Sequence, residues 1–173
     1  MKKFLIFILL INIFLYGANK NLLNKTNKKR SENKKKTTVM ITADEFRANE
    51  NSLKSTFLGH VKIVKKDDKI FSNIVTIFFD KDKKPIKYEA KKNVKFTIKL
   101  KDSFLDGSAN RLVYVPKSNK YILEGKVDVK EFPQNRKIQA SKVIINLNEN
   151  KIDIFGEKNR PVKFIFEVED KEE

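Results

Sequence analysis

One spacing constrains this chain more than any other feature of it. Alternating apolar runs open at Val61, Val94, Val127 and Val162, at successive intervals of 33, 33 and 35 residues. A period of this length marks a repeated supersecondary unit. The unit is seen whole in residues 59–79, GHVKIVKKDDKIFSNIVTIFF. Val61 and Ile63 alternate with Lys62, a charged turn of Lys65, Lys66, Asp67, Asp68 and Lys69 follows, and Val75, Ile77 and Phe79 resume the alternation on the way back. That is the pattern of a β-hairpin. The returning half repeats too: Ser72-Asn73, Ala109-Asn110 and Ala140-Ser141 each precede apolar alternation, and Ala43-Asp44 reads as an earlier, divergent copy. A stack of antiparallel hairpins is the expectation.

Turn signals fall where such a stack needs them, at Asp67-Asp68, 80–85, Asp102-Ser103, 116–119, 133–135 and 148–150. No segment sustains a 3.6-residue period. Strands of this length joined by charged turns of two to five residues predict an all-β antiparallel meander, either a sandwich or a folded-over double sheet. Val94, Phe96, Ile98 and Leu100 alternate with Lys95, Thr97 and Lys99, as do Val143, Ile145 and Leu147 with Ile144 and Asn146, so one face is buried and the other wet. Gly59, Gly107, Gly125 and Gly156 stand at strand starts or bends, where a missing Cβ permits a bulge or a close backbone approach.

Four segments divide the 173 residues. Residues 1–18, MKKFLIFILLINIFLYGA, have a basic start, an apolar run and small residues at Gly17 and Ala18, and read as an export signal. The apolar run of about 13 residues would span roughly 20 Å as a helix, short of the roughly 30 Å that an anchor must cross, which favours cleavage near Ala18 over retention. Residues 19–36 carry eight basic residues against one acid and no apolar periodicity, and read as a flexible basic arm. It is a solvated spacer, or an arm attracted to an anionic membrane surface; nucleic acid is the weakest option for an exported chain. The β domain is expected over 37–170, with an acidic tail at 171–173. Its apolar content, part of 40% overall with 14 Phe, suffices for a core. Much of the +16 formal charge lies in the arm, and the domain itself is only moderately basic.

No catalytic signature is present: no nucleophile elbow, no HExxH, no phosphate-cradling glycine loop. With no Cys, disulfides, thiolate metal sites and a lipidated N-terminal Cys are excluded, and the single His60 cannot build a histidine metal site. No enzyme, metal or cofactor is expected. Asp67-Asp68 and Asp80-Lys81-Asp82 read as turn residues, since Asp bonds its own backbone in turns, and His60 as an ordinary strand residue. What remains is the apolar stripe: Val61, Ile63, Val75, Ile77, Phe79, Val94, Phe96, Ile98, Leu112, Tyr114, Val127, Val129, Val143, Ile145, Leu147, Val162, Phe164 and Phe166. It is either a closed sandwich core or, if the double sheet stays open along one side, an elongated apolar groove. The opposite parity carries Lys62, Lys95, Lys99, Lys126, Lys130, Lys142 and Lys163.

Five stretches carry a family likeness: ADEF at 43–46, FLGHVKI at 57–63, YEAKKNVKF at 88–96, DGSANRLVY at 106–114 and LEGKVDV at 123–129. In order and spacing they resemble the LptA, or OstA-like, family of periplasmic lipopolysaccharide-transport proteins, from about residue 39 to 168. The chain departs from that pattern at His60, where Asn is common, and at Lys92, where Gly is expected. The resemblance implies a folded-over β jellyroll with an open hydrophobic interior. It also implies that the stripe, apart from Val162 and Phe166, forms a trough for the acyl chains of lipopolysaccharide. The implied role is a periplasmic carrier, joined head to tail with copies of itself and with like domains of inner- and outer-membrane components. Two alternatives stay open: an inner-membrane-anchored LptC-like component that keeps its N-terminal helix, and a closed β-sandwich adhesin or polyanion-binding module.

Overall fold

The computed structural model describes residues 37–168. The export segment expected at 1–18, the basic arm at 19–36 and the tail at 171–173 lie outside them. Ten strands follow in order: β1 (Met40–Thr42), β2 (Glu45–Asn49), β3 (Lys54–Lys65), β4 (Asp68–Phe79), β5 (Pro85–Lys99), β6 (Phe104–Val115), β7 (Lys120–Phe132), β8 (Arg136–Asn146), β9 (Lys151–Phe155) and β10 (Lys163–Ile165). The turn signals lie in the gaps between strands or at a strand's first residue. Of two short 3-10 turns, Glu50–Ser52 leads from β2 into β3, and Pro116–Ser118, which ends on Asn119 in the left-handed conformation, leads from β6 into β7.

Every pairing is antiparallel, and strands β3 to β8 pair in chain order. Both edges are split strands. At one, β1 pairs with the far part of β3 and β2 with its start, interrupted at Ala43-Asp44. At the other, β9 pairs with residues 142–146 of β8 and β10 with residues 137–139, interrupted by a loop. Among the described residues no pairing joins the two edges, so the ten-stranded sheet is not closed.

What folds this sheet is a line of bulges. The register shifts between Leu58 and Val61, Phe71 and Ile74, Lys91 and Val94, Ser108 and Arg111, and Glu124 and Val127, in successive strand pairs. On β3, β5 and β7 the residues inserted there are Gly59-His60, Lys92-Asn93 and Gly125-Lys126, all with positive φ. Each bulge bends its strand, and because the bends align, the whole sheet creases. The crease positions 59, 92 and 125 are 33 residues apart, so the repeat of the sequence is the repeat of the crease. Gly125 is needed there for space as well as φ: a Cβ would come within 2.7 Å of Asn110 Nδ2. His60 is therefore a bulge residue, with its Nδ1 2.7 Å from Asp44 Oδ2, and not the ordinary strand residue expected.

The crease divides each long strand between two leaves. The first holds 54–58, 74–79, 85–91, 111–115, 120–124 and 142–146 with β2 and β9. The second holds 61–65, 68–72, 94–99, 104–109, 127–132 and 136–140 with β1 and β10. Their inner faces form one core: Val75, Leu112, Leu123 and Val143 from the first leaf, and Val61, Val94, Ile98, Leu105 and Val129 from the second, are nearly inaccessible to water.

Candidate functional site

The apolar stripe lies on these inner faces. Val61, Ile63, Val75, Ile77, Val94, Phe96, Ile98, Leu112, Tyr114, Val127, Val129, Val143 and Ile145 are buried in the single core cluster, with Phe79 and Leu147 packed against it. Phe164 faces the same way on the edge strand β10 but is 44% exposed, because the last strand has no neighbour beyond it. Half of the inner surface is made by residues outside the stripe, among them Ile70, Ala90, Leu105, Ala109, Tyr121, Leu123, Ile138 and Ala140. They belong to the other half of each strand, beyond the crease; on β4, β6 and β8 the inward parity changes there, on β6 from Leu105 and Ala109 to Leu112 and Tyr114, whereas on β3, β5 and β7 the two inserted residues preserve it. The inner faces meet closely. A small space lined by Val39, Ile63, Lys65, Asp68, Ile70, Tyr88, Tyr114 and Tyr121 measures about 20 Å³, room for about one water molecule.

Opposite the crease, the hairpin turns of the two leaves form a long mouth. Towards β8 and β9 it widens into a cleft of about 440 Å³, with Lys101, Asp102, Gln134 and Arg136 on one rim and Asn146, Asn150 and Lys151 on the other. Leu100, Ile145, Leu147 and Ile152 make its apolar floor, continuous with the core. Glu131 is held in the wall by Ser103 Oγ, which donates at 2.9 Å, and by Arg136 at 2.7 Å.

Nearer the middle, polar groups cross from leaf to leaf. Lys65 Nζ donates to Tyr114 Oη at 2.7 Å, and Tyr121 Oη donates to Asp68 Oδ2 at 2.7 Å. Asp68 Oδ1 also accepts the backbone N–H of Lys99 at 2.9 Å, and Lys65 stands 3.8 Å from the same carboxylate. The Tyr114 and Tyr121 rings stack with centroids 4.6 Å apart, and Lys65 Nζ lies 4.1 Å from the Tyr114 centroid. Burial, with the Asp68 carboxylate beside it, holds the Tyr121 hydroxyl far above the ordinary phenol range, so it remains a donor. Asp68, expected as a turn residue, is 8% exposed and opens β4 facing inward. Asp80 and Asp82 do sit in their turn, Asp80 Oδ1 accepting the Lys84 N–H at 2.8 Å.

The outer faces are polar but not bare of aromatics. Lys62, Lys87, Lys99 and Lys130 lay their ammonium groups over Phe71, Phe78, Phe104 and Phe132 at 3.7 to 5.8 Å from the ring centroids. The lysine stems cover outer phenylalanines while their heads stay wet.

These features define a class: an unclosed antiparallel sheet creased into two leaves with an apolar interior. Residues 40–151 match the family described as LptA/(LptD N-terminal domain) LPS transport protein. The chain belongs to that family of lipopolysaccharide-transport components. Among solved structures it is similar to LptH of Pseudomonas aeruginosa, described as the LptA-homologous periplasmic component of the conserved lipopolysaccharide transport device. The two share 13% identity and a TM-score of 0.67, over 76% of this chain and 96% of that one, a likeness of fold. No curated protein matches the sequence.

Proposed function

We propose that this protein is a non-enzymatic periplasmic carrier that shields the acyl chains of lipopolysaccharide between its two leaves and passes them along a chain of like domains bridging inner and outer membranes. The observation that carries this reading is the apolar interior of an unclosed sheet, running from one edge strand to the other and opening at a mouth with an apolar floor. Magnitudes favour acyl chains as the source of affinity. At about 0.8 kcal/mol per buried CH₂, a chain of about a dozen carbons contributes on the order of 10 kcal/mol. Each exposed lysine meeting a phosphate adds at most about 1 kcal/mol. The basic outer parity then orients the approach of an anionic amphiphile.

Because the inner faces touch in the structure, acyl chains are accommodated only by parting the leaves. Photocrosslinking tests the reading directly. A photoreactive phenylalanine analogue replacing the inner residues Tyr88 or Leu147 should capture lipopolysaccharide, and one replacing Phe78 on the outer face should not. Equal capture from both faces, or from neither, would overturn the proposal.

A further inference from the structure

The interior is mainly apolar, and of its buried polar groups four side chains meet from leaf to leaf across the mouth. Lys65 and Asp68 reach inward from the second leaf at the β3–β4 turn, and Tyr114 and Tyr121 from the first leaf on β6 and β7. We propose that they form a polar clasp that holds the mouth shut while the interior is empty, and that an acyl chain gains access by displacing it. The access step rests on the carrier function proposed above; the closing step does not.

Three observations support a clasp over a merely structural polar cluster. The bonds run between leaves, across residue separations of 49 and 53 positions, at the side of the molecule away from the crease. They are where parting the leaves would first be felt. The roughly 20 Å³ space beside them is lined by the same four residues together with Val39, Ile63, Ile70 and Tyr88 in or against the core, so releasing the clasp opens a path from the mouth to the core. Finally, removing either partner leaves the other a buried polar group without its bond, a cost that falls on the closed state alone because the parted groups meet water. Lys99 secures the arrangement from the neighbouring strand, its backbone N–H fixing the Asp68 carboxylate towards Tyr121.

The chain has no cysteine, so Asp102→Cys and Asn150→Cys on opposite rims of the mouth give a unique pair of spin-label sites. Distances between them, read by pulsed electron resonance without lipid, test the closing step. Uptake of a fluorescent long-chain fatty acid tests access. In the parent protein we expect one narrow, short distance. Tyr121→Phe and Lys65→Met, each of which removes one bond across the mouth and is checked for folding by circular dichroism, should add a wider population. Their uptake should be faster by about tenfold, the change corresponding to one such bond. A distance distribution unchanged in both variants overturns the clasp, and a widened one with measurable uptake that is no faster overturns its part in access. A widened distribution with no uptake by any of the proteins supports the clasp and removes the carrier function instead.

Discussion

Lys92 occupies a position that its two counterparts along the crease give to glycine. Its φ of 64 matches those of Gly59 and Gly125, at 73 and 72. For a residue with a Cβ this conformation costs about 1–2 kcal/mol, whereas glycine adopts it freely. Part of that gain is offset by the greater freedom of glycine in the unfolded chain, about 0.4–1 kcal/mol. Lys92→Gly should therefore stabilise the protein by about 0.5 to 1 kcal/mol, read as a higher urea midpoint with unchanged slope. Gly125→Ala should do the reverse, losing about 1–2 kcal/mol from φ alone, and more as the new methyl group meets Asn110. A neutral Lys92→Gly would mean that the lysine side chain has a compensating contact on the crease.

At the scale of the strand, the outer face beside the crease carries an ion ladder across four strands. Lys91 and Arg111 meet Glu89 at 3.2 and 2.5 Å, Arg111 also meets Glu124, and Lys142 meets Glu124 at 3.1 Å. Burial alone would push both glutamates up, but the bonds from Arg111 with Lys91 or Lys142 outweigh it and hold both carboxyls below the ordinary range. A depressed folded value means stability that is present above the unfolded value near pH 4.3 and lost as pH falls through the folded one. Arg111→Met keeps the stem and removes the hub, so it should cost about 1–3 kcal/mol at neutral pH. That difference should shrink as pH falls below the unfolded value and through the depressed folded one, and urea titrations at falling pH would show it; a pH-independent cost would assign the effect to packing. The same strands explain how far the sequence could be read. Alternation such as Val94, Phe96, Ile98 reveals one leaf of β5, and turn residues reveal where hairpins reverse. Tyr88 and Ala90 of the same strand face the same core but lie four and more residues back, beyond a two-residue bulge. On β5 the two inserted residues keep the phase but put the charged Lys92 at the even-numbered position between Ala90 and Val94, and on β4, β6 and β8 a single extra residue shifts the phase, so the alternation stops at the crease and only one half of each strand was legible. The repeat spacing held the missing signal: Gly59, Lys92 and Gly125 mark the bulges, yet Lys92 hides the glycine pattern that would have joined them. Asp68 was hidden for another reason, since nothing local distinguishes a carboxylate left in solvent from one met by a tyrosine 53 residues later.

For the whole molecule, the unclosed sheet leaves two edges, and apolar side chains continue out to both. Met40 is 54% exposed at the first edge, and Phe155, Phe164 and Phe166 are 48%, 44% and 55% exposed at the last. Open edges bring together backbone groups that lack a neighbour and partners able to supply one. A second copy placed with its first edge against the last edge of another would continue both the sheet and the apolar interior. Such a contact uses different surfaces on the two copies, so it propagates into a filament and does not stop at a dimer. Charge favours the same polarity: the basic segment at 19–36 precedes the first edge, while Glu167, Glu169, Asp170, Glu172 and Glu173 follow the last. The chain should therefore form head-to-tail oligomers whose size grows with concentration and falls with added salt. Truncation after Pro161 removes β10 with Val162, Phe164 and Phe166, and should weaken association by at least about tenfold, or 1.4 kcal/mol. Phe164→Lys, which places a charge on the edge without shortening the chain, should act in the same direction. Sedimentation velocity on the three proteins, with circular dichroism to show that each is folded, makes the measurement. A parent protein that stays monomeric from micromolar to millimolar concentration at low salt would defeat the head-to-tail arrangement, and with it the passage of lipid along a chain of copies.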